Sequence, residues 1–182
     1  GLYVNHYNKE YSMSSSYQRH APYYGQYHPK ISTWLQHKTN SHLRSCYFKH
    51  ICDTPHPSNN VQTVLFLNGA TECIEKYEYF YHTLNTKGFD VVAIDFKTYG
   101  LSHHLHASRF HINDFFDFHD DLHTAITWAT SCTRTSNASI HFVSHSFSGA
   151  VLLKELQEQK IPSSSKVVFL SPMWGIALPY PE

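Results

Sequence analysis

The feature that most constrains this chain is an alternation of short apolar runs with segments of helical length. Residues 61–67 (VQTVLFL), 89–96 (FDVVAIDF), 140–143 (IHFV) and 166–170 (KVVFL) are apolar almost without interruption. Short runs this uniformly apolar suit strands buried on both faces, as in a parallel sheet. Residues 72–86 have helical length and close at Gly88, a residue suited to a left-handed C-terminal cap. Phe115, Phe118, Leu122, Ile126 and Ala129 recur at spacings of three and four, one stripe of a helix capped by Asn113 or Asp114. Residues 147–159 read as a third helix, and a short strand is expected over 45–52 before the turn-rich 53–60 (DTPHPSNN). Strands alternating with helices predict an α/β fold, a mostly parallel sheet with helices on both faces.

A chain of 182 residues is long enough for one sizeable core. Residues 1–42, rich in Tyr, Ser, His, Asn and Gln and without apolar period, are expected to be a loosely ordered arm lying on a core at 43–182. Formal net charge is zero with histidine neutral, which argues against nucleic acid as a partner and against a polybasic membrane contact. Sixteen histidines nevertheless make the actual charge depend on pH near neutrality. Cys46, Cys52, Cys73 and Cys132 are too few and scattered for a disulfide framework, and no Cys-x-x-Cys pair supports a zinc ribbon. A Cys46–Cys52 bridge stays open in an oxidising compartment, against the commoner free buried thiol. No run approaches the roughly 18 apolar residues of a membrane span. No basic stretch followed by an apolar one marks a secretory leader, and the compartment is left open with the cytoplasm favoured. In His103-His104-Leu105-His106, neighbours on an extended loop point apart and no H-E-x-x-H helix accompanies them. A solvated loop is expected there, with no metal and no cofactor.

Ser144-His145-Ser146-Phe147-Ser148-Gly149 lies between the third apolar run and the third helix. A tight strand-to-helix turn at this place would lift the Ser146 hydroxyl clear of the sheet. It would also set the Phe147 N–H at a helix N-terminus, where it can donate to a developing oxyanion. The flanking positions are Ser144 and Ser148, where a G-x-S-x-G pattern has glycine; serine fits there with mild strain.

Other segments fall in order around this one. Asn68-Gly69-Ala70-Thr71-Glu72 follows the first run, and Glu75-Lys76-Tyr77 comes next. Asp95 to Ser102 (DFKTYGLS) follows the second run, Asp121-Leu122 lies in the second helix, and Leu170-Ser171-Pro172 ends the fourth run. From about Cys46 onward the chain resembles the monoacylglycerol lipase, lysophospholipase and serine aminopeptidase-like group of α/β-hydrolases. That group has a histidine–glycine turn with a downstream glutamate and tyrosine, a D-x-R-G-H-G-x-S run, a D-L pair, a G-H-S-x-G-G elbow and a strand ending in S-P.

The resemblance implies the α/β-hydrolase fold, with Ser146 as nucleophile and the backbone N–H groups of Ala70 and Phe147 as the oxyanion hole. Asn68 replaces the group's histidine and is expected to hold its loop by hydrogen bonding. Gly69, His145, Ser148 and Gly149 would support the turn and the elbow. In this fold the acid and base follow the nucleophile, so neither Asp95 nor Glu72 is expected to be the triad acid; Asp95 would brace the turn after it. No histidine and no aspartate follows Ser146 in the chain. Glu155 and Glu158 are expected to face solvent, and the His145 side chain to leave the turn away from Ser146. The expectation is therefore the N-terminal portion of a longer enzyme, its cap, last strands and triad partners lying outside it, and so inactive and poorly soluble by itself. Residues 173–182 (MWGIALPYPE) resemble the start of a connection into such a cap, through which the whole enzyme could meet a membrane surface. The implied activity is hydrolysis of a lipid or small-molecule ester, such as a monoacylglycerol or a lysophospholipid. Two alternatives stand beside it: an aminopeptidase-type acyl hydrolase, and a non-catalytic binding protein on the same scaffold.

Overall fold

The computed structural model describes residues 4–5, 32–36, 42–50, 61–102, 112–133 and 139–175. Within them the strands are β1 (Val4–Asn5), β2 (Ser32–Gln36), β3 (His42–Phe48), β4 (Thr63–Leu67), β5 (Asp90–Asp95), β6 (Ile140–His145) and β7 (Val167–Leu170). The helices are α1 (Glu78–Thr86), preceded by a 3-10 turn at Ile74–Tyr77, α2 (Asp117–Cys132) and α3 (Phe147–Gln157). One sheet takes the order β1-β2-β3-β5-β4-β6-β7. Pairing is parallel from β5 through β4 and β6 to β7, and antiparallel from β5 outward through β3 and β2 to β1. The fold is an α/β one, a mostly parallel sheet with helices on both faces, as the alternation of apolar runs predicts.

Alternation along β4 and β5 explains why both faces need cover. Leu65, Leu67, Val92 and Ile94 pack with Phe118, Leu122, Val151 and Leu152 of α2 and α3. Val64, Phe66, Val91 and Ala93 pack on the other face with Ile74 and Tyr81. A connection from β4 to β5 runs one way along the sheet and that from β5 to β6 runs back, so right-handed crossovers put α1 on one face and α2 on the other. Gly88 does close α1: at φ 88° it lets its own N–H reach Asn85 O (3.0 Å) and the Phe89 N–H reach Leu84 O (3.1 Å).

Three boundaries differ from expectation. Residues 32–36 are not a loose arm: β2 pairs with β3 over its whole length, Leu35 opposite Leu43, and Leu35 is fully buried. Two apolar residues, Trp34 and Leu35, are too few to announce a strand, yet Thr33 and Leu35 both turn inward. The core therefore begins before residue 43; the rest of 1–41, apart from Val4–Asn5, lies outside the described residues. The first turn of α2 starts later than the apolar stripe suggests. Phe115 is exposed in a preceding turn, where Asp114 Oδ1 accepts the Phe116 N–H at 2.9 Å. Finally, the strand expected over 45–52 occupies 42–48. Cys52, the 53–60 loop, His103 to His106 and residues 176–182 are also outside the described residues. No helix among the described residues is long and apolar enough to cross a membrane.

Candidate active site

Register brings the separate motifs together. Leu67 lies opposite Ile94 on one side and Ser144 on the other, so β4, β5 and β6 end level. The turns after them leave from one edge of the sheet, the edge at which open α/β sheets bind ligands. Each turn leaving a parallel strand holds a non-glycine residue at positive φ: Thr71 (62°), Thr98 (68°), Ser146 (56°) and Ser171 (44°) after β4, β5, β6 and β7. Strained backbone of this kind gathers at working sites.

Ser146 is the link between β6 and α3. Its φ of 56° and ψ of −121° reverse the chain in one residue, and its side chain makes no capping hydrogen bond to the helix. The backbone is fixed on both sides by the end of β7. Ser146 N–H donates to Leu170 O (3.0 Å), and Met173 N–H donates to Ser146 O (3.0 Å). Gly149 faces that same segment, and a methyl on it would meet Pro172 Cβ at 3.0 Å. Phe147, the first residue of α3, has no intrahelical acceptor for its N–H. Its ring is buried against Phe118, Phe96 and Tyr99, at centroid distances of 4.9, 5.3 and 5.5 Å.

The two serines that replace glycine behave differently. Ser148 Oγ lies 2.9 Å from both Leu67 O and His145 O and accepts the His145 N–H at 3.1 Å, so it ties the end of β4 to the elbow. Ser144 is fully buried, and its hydroxyl has no partner among the described residues.

In the turn after β4, Ala70 is exposed and Gly69 is buried. Gly69 is required by crowding, because a Cβ there would stand 2.7 Å from Glu72 Oε2 and 2.8 Å from His145 Nδ1. Asn68 departs from expectation: its amide is buried and neither end finds a hydrogen-bond partner among the described residues. The loop is held instead by Glu72. Its Oε2 accepts from Gly69 N–H (2.6 Å), Tyr77 O–H (2.7 Å) and His145 Nδ1 (3.1 Å), while Oε1 pairs with Lys76. Burial alone would raise the Glu72 carboxyl, but the bonds from Lys76, Tyr77, Gly69 and His145 outweigh it and hold it down to about 2. His145 therefore points at Glu72 and Tyr77 (2.9 Å to Oη), a direction in which it is committed to the turn after β4.

The family described as serine aminopeptidase, S33 matches residues 58–182. The chain belongs to this family. Similar folds include a soluble variant of monoglyceride lipase from Saccharomyces cerevisiae in complex with a substrate analog (14% identity, TM-score 0.67, 83% of this chain and 47% of that one). Others are a thermostable carboxyl esterase from Bacillus coagulans in complex with glycerol (14%, 0.58, 76% and 43%) and an esterase from Exiguobacterium antarcticum (16%, 0.57, 76% and 44%). This S33 chain thus spans about half the length of those structures. No curated protein sequence matches it.

Behind the site, the S33 chain carries a buried charge network that sequence reading finds only in part. Asp95 braces its turn as expected, accepting Leu101 N–H (2.9 Å) and also Ile74 N–H (2.8 Å). A methyl on Gly100, at φ 51°, would collide with that carboxyl at 2.2 Å. Lys97, at the place of the group's arginine, turns to Asp117 (3.0 Å), and Asp95 takes a guanidinium from Arg44 of β3 (3.1 Å), which also grips Glu75 (2.5 Å). Burial pushes Asp95 up to about 6 despite Arg44. Burial likewise pushes Asp121 up to about 7, although it accepts the Lys97 N–H at 2.6 Å. Arg44 gives no sequence signal, since one basic residue in a strand reads as exposed. Glu155 was expected to face solvent and does not: it is buried under α2, paired with His119 Nδ1 (2.7 Å) and His123 Nε2 (2.6 Å). The two histidines, four apart on α2, were the available signal. Glu158 is exposed, as expected. No cluster of three or more His, Cys, Asp or Glu among the described residues could hold a metal ion.

Proposed function

We propose that this chain carries the nucleophile and oxyanion hole of a serine ester hydrolase acting on lipid or small-molecule carboxylic esters, of monoacylglycerol or lysophospholipid type. The observation that carries it is the strained Ser146 between a buried parallel strand and α3, its hydroxyl left out of the helix cap. Membership of the S33 family and likeness in fold to a monoglyceride lipase and to esterases support the class of substrate.

In this mechanism Ser146 Oγ attacks the ester carbonyl carbon as a base removes its proton. The carbonyl oxygen takes the negative charge and accepts from Phe147 N–H and Ala70 N–H; losing one such donor typically costs about 3–4 kcal/mol. Collapse of the intermediate expels the alcohol with that proton and leaves an acyl-serine, which water then cleaves. His145 is held by Glu72 and Tyr77, so it is not the base in this mechanism. A second reading, an aminopeptidase-type acyl hydrolase on the same elbow, takes its support from the family's description. A non-catalytic binding role draws on Ser144 and Ser148 standing in place of glycine.

The test is covalent labelling of the full-length protein with a fluorophosphonate, followed by turnover of a panel of monoacylglycerols, lysophospholipids and aminoacyl amides. Expected are labelling at Ser146, its loss in Ser146→Ala, and turnover of the esters ahead of the amides. Absence of labelling favours the binding protein, and preference for amides favours the peptidase.

A further inference from the structure

From the bonds around Glu72 we infer that this carboxylate is a positioning residue for catalysis, fixing the spacing between the two oxyanion donors. The inference rests on the serine-hydrolase reading above. Ala70 and Phe147 belong to different turns, and no hydrogen bond between those two residues sets their separation. Glu72 Oε2 joins the turns. It accepts the N–H of Gly69, the residue before Ala70, at 2.6 Å, and the Nδ1 of His145, two residues before Phe147, at 3.1 Å. Tyr77 closes a triangle, 2.7 Å from Glu72 Oε2 and 2.9 Å from His145 Nδ1.

The proton inventory has one solution. Ionised Glu72 only accepts, and Tyr77 has one O–H, which it gives to Glu72. His145 Nδ1 faces two oxygens that both can accept, so it carries the proton. One carboxylate oxygen thereby collects three donors, from the oxyanion turn, from the elbow and from the 3-10 turn that follows. Gly69 is glycine because carboxylate and imidazole close directly over its Cα. Thr71, at φ 62°, keeps Glu72 folded back onto Gly69, helped by Glu72 N–H to Gly69 O at 3.3 Å. Oε1 meets only the exposed end of Lys76, so a glutamine can keep all three Oε2 bonds with its carbonyl oxygen.

The full-length protein is compared with Glu72→Met and Glu72→Gln for kcat and KM on a short-chain ester, and for the rate constant and end-point of fluorophosphonate labelling. Removal of an oxyanion donor outright costs roughly 100-fold or more in kcat. Displacement of the donors in Glu72→Met is expected to lower kcat and the labelling rate constant by about 10- to 100-fold, with KM and the labelled end-point unchanged. Glu72→Gln is expected to restore most of that loss. A purely structural role would reduce the end-point in step with folded protein and leave the rate constant of the labelled fraction alone. That result, or Glu72→Met labelling at the wild-type rate, overturns the assignment of Glu72. Wild-type protein that labels no better than Ser146→Ala overturns the hydrolase reading itself.

Discussion

Asp121 sits almost wholly buried on α2 with its carboxylate on the Lys97 N–H. Burial raises it to about 7, well above the roughly 3.9 of an unfolded aspartate, so the folded state holds the proton more tightly. The sign follows: Asp121 favours the folded state fully below about pH 4, and this contribution is lost as pH rises to about 7. Asp95, raised to about 6, acts in the same sense, whereas Glu72, held at about 2, supplies stability above pH 4.5 that is lost on acidification. Asn in place of Asp121 keeps an acceptor and removes one titration. Measured from pH 4.5 to 7.5, Asp121→Asn is expected to lose less stability than wild type, by up to a few kcal/mol. Parallel pH curves for the two proteins would refute this. The direct role of Asp95 in its turn was legible from the D-x-x-x-x-G-x-S spacing. The burial that shifts both carboxyls was not, because it depends on which helix crosses which strand.

Helices α2 and α3 meet through an aromatic contact and a hydrogen-bonded one. Phe118 packs on Phe147 beside the elbow, and further along Glu155 of α3 is gripped by His119 and His123 of α2. The Lys160 ammonium also faces Glu155, 3.9 Å away. Removing one partner of a buried charged group leaves the rest uncompensated, a loss of about 3–5 kcal/mol for a full pair. Glu155→Ala is expected to destabilise by roughly 2–4 kcal/mol in denaturant unfolding, and Glu155→Gln by less than half as much, since an amide oxygen still accepts. Equal losses from both would show that the helices are joined by packing alone. The stripe through Phe118, Leu122 and Ala129 was legible in the sequence. Glu155 was not, because a carboxylate reads as solvated until its histidine partners are brought over it.

Across the molecule, the parallel strands were readable because burial on both faces leaves an unbroken apolar run. The antiparallel side was not. β3 carries Arg44 and Ser45 inward to partners on β5, and Thr33 of β2 is buried opposite Ser45, so their polar residues disguise a core position. Leu35 tests whether β2 belongs to the sheet. Leu35→Ala is expected to cost about 2–4 kcal/mol, as for a buried leucine, whereas a residue on a loosely attached arm would lose under about 0.5 kcal/mol. The candidate site was legible where a motif names a backbone turn, at Gly69, Ser146 and Gly149. At Glu72 and Tyr77 the resemblance named the residues but not the bridge their side chains make between turns, and Arg44 gave no signal.

The hydrogen bonds from Ser146 to Leu170 and from Met173 back to Ser146 carry one more implication. Ser146 is anchored in two directions: by its own strand and helix, and by a neighbouring ribbon that clasps its peptide units from the side. Whatever tugs that ribbon, at Pro172 or at the exposed Trp174 beyond it, also tilts the Ser146 hydroxyl, so substitutions there can reorient it without touching the elbow.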